Sequence, residues 1–286
     1  TRLGRWSRGL GDVYKRQVLM KARHGFADDG LIATTEDNRG FLSIDRPDRK
    51  NAINFEMWRE LPRALDWLCR QGDIRCIVLH GGGSTDFSAG ADITEFDAVR
   101  RDVDSAQHYE ASNSDAFRAV RQCPVPVIAM VRGICFGGAF GLAAAADLRV
   151  ASHEAVFSVP AGKLGLAYPV DAMIDIVETL GQQLARSMLF TARRLDAREA
   201  RTAGFLHTTC GLANLEATVA ELTDQICANA PLTNRAAKAS IRAALSGIED
   251  DLRLAQELAE ATFLSADYEE GRNAFREKRR PVFAGK

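Results

Sequence analysis

The sequence predicts an α/β fold that ends in an α-helical region. Three observations carry this prediction. Short apolar runs of strand length alternate with helical stripes up to about residue 170, beyond it the strands nearly stop, and no Pro/Gly/Ser-rich linker divides the two parts. With 286 residues, 46% of them hydrophobic and 26% charged, the chain can bury a large core without disulfides or metals.

The elements follow in order. Leu31–Glu36 and Gly40–Arg46 flank the turn Asp37-Asn38-Arg39-Gly40 and predict a hairpin. Met57, Leu61, Ala64, Leu65 and Leu68 keep helical spacing and predict a helix over roughly 55–70. Pro62 should kink that helix, because proline removes a backbone donor and crowds the preceding turn. Gly72-Asp73 turns into the apolar run Ile74–Leu79, a buried strand, and Val127–Val131 repeats the pattern. Residues 137–146 predict a buried helix whose small side chains let neighbouring backbone approach. Leu148–Ala151 and Val156–Ser158 read as short strands.

Three helical stripes follow: Met173, Ile176, Val177, Leu180 and Leu184; Leu215, Val219, Leu222 and Ile226; Leu254, Leu258, Ala261 and Leu264. The expected organisation is an α/β core over 18–205 with an appended helical subdomain over 206–286. Residues 1–17 differ from the rest: five basic residues, one acid and no periodicity. They resemble translated adapter sequence more than a fold element, and the native chain is expected to begin near Val18–Met20.

Lys plus Arg (37) balances Asp plus Glu (38), so no global field favours nucleic acid or an anionic membrane. The longest apolar stretch, Ala139–Ala146, falls far short of the ~18 residues of a spanning helix. Six cysteines form no C-x-x-C pair and no zinc-ligand spacing, so free thiols in a reducing cytoplasm are expected, with no metal. Nucleotide-loop, nucleophile-elbow and zinc-protease signatures are absent.

Two glycine-containing turns carry the chemistry. One, over 81–92, follows the strand Ile74–Leu79; the other, Gly133-Ile-Cys-Phe-Gly-Gly138, follows Val127–Val131. Each leads from a strand into a helix N-terminus, where backbone N–H groups lack partners and the dipole favours negative charge. Two such turns can aim two N–H groups at one oxygen, or can be tight turns and nothing more.

Phe87-Ser-Ala-Gly-Ala-Asp-Ile93 resembles the F-x-[AS]-G-A-D-[IL] motif of the crotonase (enoyl-CoA hydratase/isomerase) superfamily. Arg46-Pro47-x-x-x-Asn51-Ala52-Ile53, Gly133-x-x-x-Gly137-Gly138, Ala146-Asp147-Leu148-Arg149-Val150-Ala151 and Gly271-Arg-x-Ala-Phe-x-Glu-Lys-Arg-x-Pro-x-Phe283 fit the same family in order. The resemblance implies a spiral of ββα units in two sheets, C-terminal helices that drive assembly into a trimer or hexamer, and an acyl-CoA thioester substrate. No separate cofactor is implied, since coenzyme A belongs to the substrate. It places the thioester oxygen on the N–H groups of Ala89 and Gly138, with Ala52, Gly90, Ala91 and Gly137 alongside. Asp92 and Ile93 fall where the family's backbone meets the adenine ring. Arg49 and Lys50 fall where basic side chains reach phosphates, and Phe275 and Lys278 match a C-terminal pair that reaches coenzyme A in some members. For these charges a solvated face is the alternative.

The sequence departs from the family at two points. A hydratase uses two carboxylates, and the family positions for them here hold Gly141 and Ala161. Asp171 is the nearest replacement, or else a first-turn helix residue stabilised by the dipole. Tyr168 and Glu95 are weaker candidates, and Asp147 reads as structural. The resemblance therefore implies an enoyl-CoA hydratase/isomerase-like enzyme that stabilises a thioester enolate. The alternatives are isomerisation, decarboxylation or C–C cleavage of a CoA thioester, and a non-catalytic acyl-CoA-binding scaffold.

Overall fold

The computed structural model describes residues 20–286, and the expectation for residues 1–17 lies outside the described residues. The chain opens on three antiparallel strands, β1 (Met20–Phe26), β2 (Leu31–Glu36) and β3 (Arg39–Ile44). β2 and β3 bury every second residue, as a pleated strand with one covered face must. Helix α1 (Phe55–Cys69) then lays Met57, Trp58, Leu61, Ala64, Leu65 and Leu68 against them, and the Asn54 side chain caps it by accepting from Met57 N–H at 2.9 Å. Pro62 does not break the helix; α1 runs through it from Phe55 to Cys69. Six buried apolar side chains, at roughly 1.5–3 kcal/mol for each large one, outweigh the ~3 kcal/mol of a helical proline. The helical backbone breaks elsewhere, at Gly181 inside α5 (Val170–Thr191).

Between these come β4 (Cys76–Gly81), α2 (Phe96–Val99), α3 (Val103–Arg121), β5 (Val127–Val131), β6 (Ile134–Phe136), α4 (Gly138–Ala145), β7 (Leu148–Ser152) and β8 (Val156–Ser158). After α5 follow β9 (Leu195–Asp196), α6 (Ala197–Thr202), β10 (Thr208–Cys210), α7 (Leu215–Ala228), α8 (Pro231–Ser246), α9 (Glu249–Phe263) and α10 (Ala266–Glu277). One sheet has the order β1-β2-β3-β4-β5-β7-β10, parallel from β3 onward, and a second has the order β6-β8-β9. The sequence pattern gives no separate prediction of β1, α3, β6, β9, α6, β10, α8 or α10. Ser112 and Asn113 sit buried on α3 beside Phe117, so its inner face carries no clean apolar stripe.

α4 lies in the core with every residue after Gly138 buried. Phe140 stacks on Phe205 at 4.8 Å. Its C-terminus is held by a buried guanidinium: Arg149 donates to the carbonyls of Ala143, Ala144, Ala146 and Phe205. Burial pulls the Arg149 pKa down to about 10. Asp147 accepts from Val127 N–H and from Lys238 Nζ, both at 2.7 Å, a structural role that also ties α8 to β5.

The boundary expected at 205/206 cuts through a packed unit. β10 extends the large sheet, and Leu215 and Val219 of α7 cover its outer face against Val78, Ile128 and Val150. A separate small cluster, Ala239, Ala243 and Ala255, joins α8 to α9. All six cysteines are free thiols. Cys69 touches Cys123 and Cys76 touches Cys227, at 3.7 and 3.8 Å between sulfurs. Among the described residues no helix is long and apolar enough to cross a membrane.

Candidate active site

The two glycine turns meet. Asn51, almost fully buried, fastens the loops that lead to them: its amide donates to the carbonyls of Gly82 and Asp86, and its carbonyl oxygen accepts from Arg46 N–H. Sequence reasoning quoted Asn51 in a motif without giving it this task. In the first turn Ala89 N–H donates to Lys50 O at 2.9 Å and Gly90 N–H to Ser88 Oγ at 3.0 Å. Ala91 N–H is the first to have no partner among the described residues. In the second turn Gly138 N–H opens α4 and likewise has no intrahelical acceptor. The nitrogen of Ala91 lies 4.0 Å from the position a Gly138 Cβ would take. The pair of free donors is therefore Ala91 and Gly138, which corrects the expectation of Ala89.

Glycine is required at both hinges of this pair. Gly90 has φ +90°, and a Cβ there would stand 2.4 Å from Phe136 O. Gly137 has φ 52° and ψ −124°, a conformation open to glycine alone, and this turns the Gly138 N–H away from the preceding strand. One oxygen bound by both N–H groups at the head of α4 would have its developing negative charge stabilised where it forms.

The donors border a cavity of about 540 Å³. Arg49, Ala52 and Ile93 line it on the side of the first turn, Phe96, Arg100, Glu110, Asn113 and Phe117 on α2 and α3, and Ala161, Leu166 and Tyr168 opposite. Asp92 lines it too, but its carboxylate is fully engaged: Oδ2 accepts from Arg46 Nη1 at 2.9 Å and Oδ1 from the Thr94 N–H and hydroxyl. Burial raises its pKa, yet those hydrogen bonds prevail and hold it below the usual carboxylate range.

The two missing carboxylates leave different traces. At Gly141 the room is taken. A Cβ there would lie 2.6 Å from the Tyr168 hydroxyl and 2.8 Å from the Phe117 ring. Tyr168 donates to Gly137 O at 2.9 Å, the carbonyl of the very peptide that carries the Gly138 N–H, and so fixes that peptide plane. Burial pushes the phenol pKa far up, so Tyr168 stays protonated. Ala161 lines the cavity in a 3-10 turn and presents a methyl group.

The other candidates fall elsewhere. Asp171 lies outside the cavity lining; its Oδ1 accepts from Arg121 Nη2 at 2.8 Å beside Asp175 at 2.6 Å from the same guanidinium. The catalytic expectation for Asp171 is thus not met, because the helix entry turns its carboxylate toward α3's last turn. Glu95 caps α1, accepting from Phe55 N–H at 2.8 Å. Lys50 meets the site through its carbonyl and is not a lining residue. Phe275 and Lys278 on and after α10 do not line the cavity of this chain, and Phe275 is exposed. Among the described residues no cluster of His, Cys, Asp and Glu could hold a metal ion.

The carboxylate that sequence reasoning missed is Glu110. It stands on α3, an element the sequence pattern did not reveal, and its partner Arg100 is clamped between the rings of Phe96 and Tyr109 at 4.4 and 4.3 Å.

Known proteins share this architecture. The enoyl-CoA hydratase/isomerase family profile matches residues 36–286. The methylmalonyl-CoA decarboxylase of Escherichia coli K12 is 33% identical over 239 residues, 82% of this chain and 90% of its own. The peroxisomal Delta(3,5)-Delta(2,4)-dienoyl-CoA isomerase of Arabidopsis thaliana is 28% identical over 267 residues, 89% of this chain and 96% of its own. A crystal structure described as an enoyl-CoA hydratase/carnithine racemase from Magnetospirillum magneticum superposes with a TM-score of 0.85 at 33% identity, covering 90% of this chain and 96% of that one. Fold, motifs and matches agree: the chain belongs to the enoyl-CoA hydratase/isomerase family.

Proposed function

We propose that the protein binds an acyl-CoA thioester with its carbonyl oxygen on the N–H groups of Ala91 and Gly138 and stabilises the enolate formed there. The observation that carries this reading is that two partnerless N–H groups stand close together on the wall of one largely apolar cavity. The donors act on charge that grows as the α-carbon loses a proton or a carboxylate, so they bind the transition state more tightly than the thioester. Ile93 and Arg49 are exposed and line the same cavity, which supports a contact with the nucleotide end of coenzyme A.

The reaction is enolate chemistry other than two-glutamate hydration. Gly141 and Ala161 supply no acid or base, and Tyr168 and Phe117 fill the space at 141. Isomerisation and decarboxylation need the enolate without a pair of carboxylates to activate water, and relatives named for both activities match most of the chain. The test is a panel of CoA thioesters followed by mass spectrometry. A product formed by double-bond migration or CO₂ loss, with slow hydration of crotonyl-CoA, supports the reading. Rapid hydration, or no thermal stabilisation by any thioester at millimolar concentration, refutes it.

Self-association belongs to the same proposal. Ile241, Leu245, Leu252, Phe263 and Leu264 on and after α8 and α9 are more than half exposed, an apolar face that a further copy in a trimer or hexamer would cover. Light scattering that returns the 31.2 kDa of one chain at micromolar concentration overturns it.

A further inference from the structure

Resting on the acyl-CoA reading above, we propose that Glu110 is the group that exchanges the proton at the α-carbon of the bound thioester. Among the described residues, two carboxylates line the cavity that holds the two free N–H donors, Asp92 and Glu110. Asp92 is spent on Arg46 and Thr94. Glu110 is not spent: Oε1 meets Arg100 Nη2 at 2.7 Å, while Oε2 has no partner among the described residues.

Its place on α3 supports the assignment. Glu110, Asn113 and Phe117 share one face at helical spacing, and all three line the cavity. The Phe117 ring presses on the backbone at Gly141, where the family resemblance puts a carboxylate. The wall emptied of an acid on α4 is thus rebuilt by α3, which brings its own acid two turns away. Arg100, stacked between two rings, holds the carboxyl in one orientation.

In the forward step the Cα–H bond breaks and its proton passes to the Glu110 carboxylate. The bonding pair forms the Cα=C bond of the enolate, and the carbonyl pair moves to the oxygen held by Ala91 and Gly138. In the return step the Glu110 carboxylic acid gives the proton back to the α-carbon. No oxidant, metal or second base enters.

The experiment follows deuterium uptake at the α-carbon of butyryl-CoA in D₂O by mass spectrometry, with binding of the same thioester measured by calorimetry. Wild type should exchange well above the buffer rate. Glu110→Gln should lose about 10²-fold or more, the usual share of a general base, with affinity changed only a few-fold. Glu110→Ala should lose as much and regain part of the exchange when formate is added, a rescue that a merely structural role would not show. Asp171→Asn, outside the cavity, should exchange like wild type. Exchange by Glu110→Gln within tenfold of wild type overturns the proposal. So does a wild type that binds butyryl-CoA without exchanging it, or an Ala variant that formate does not rescue. A wild type that binds no thioester refutes the underlying reading instead.

Discussion

Restoring a side chain at position 141 tests whether the missing carboxylate is a lost group or a rebuilt wall. In Gly141→Ala the new Cβ would meet the Tyr168 hydroxyl at 2.6 Å and two Phe117 ring carbons at 2.8 and 2.9 Å. Each neighbour must retreat by roughly 1 Å to reach ordinary contact distance. Phe117 is buried and meets Trp58 edge-on at 5.7 Å, and the half-buried Tyr168 is held by Gly137 O, so the displacement spreads into the core. Overpacking of this kind costs about 1–3 kcal/mol, while the alanine returns ~1 kcal/mol of helix propensity. The net expectation is a loss of about 1 kcal/mol in urea unfolding, read as a lower midpoint at unchanged slope. Gly141→Glu should fare worse and gain no hydratase activity. Combining Gly141→Ala with Phe117→Leu should recover part of the loss, giving a coupling energy of the size seen between touching residues. A Gly141→Ala protein as stable as wild type refutes the filled-wall argument, and a hydratase-active Gly141→Glu refutes the reading of the site.

Other outcomes follow from single contacts. Tyr168→Phe should cost about 0.5–1.5 kcal/mol and lower turnover more than affinity, because the Gly138 peptide loses its anchor while the thioester keeps its contacts; unchanged turnover counts against that anchoring. Arg149→Met should destabilise by at least about 2 kcal/mol in denaturant titration, since four buried carbonyl contacts lose their donor. The pH profile of α-proton exchange should report Glu110. Burial raises its carboxyl pKa against the pull of Arg100, so exchange by the carboxylate should fall as pH drops through a value above the ordinary 4.5. Tyr168 and Tyr109 face the same region and stay neutral, so Arg100→Met should move the inflection upward; an inflection that does not move rules out Glu110 as its source.

Much of the sheet was legible because apolar runs and turn residues are local. β2, β5 and β8 begin and end where the pattern places them, and α1 starts at the residue after its cap. α3 was not legible. Its inner face holds Asn113, Glu110 and Ser112 together with Phe117, and a helix that lines a polar-edged cavity need not show an apolar stripe. The relocated acid was hidden for the same reason. Asp171 follows Ala161 along the chain, whereas Glu110 lines the cavity from α3, more than twenty residues upstream of Gly133.

The choice between Ala89 and Ala91 shows where a motif stops being informative. Phe87-Ser-Ala-Gly-Ala-Asp-Ile93 offers consecutive N–H groups in one turn, and residue type alone does not say which stays free. Two contacts from outside the motif's backbone decide it: the Lys50 carbonyl takes the Ala89 N–H, and the Ser88 hydroxyl, itself bound to Asn51 O, takes that of Gly90. Asn51 therefore acts on the site twice, its side chain by fixing the turn that carries Lys50 and its backbone carbonyl by orienting Ser88. Its replacement by alanine keeps the backbone contact to Ser88 but loosens the turn that carries Lys50, and should free Ala89 to compete for the oxygen. A turnover loss larger than the stability loss, measured on the same Asn51→Ala protein, would mark that effect; a loss in stability alone would reduce Asn51 to a loop fastener.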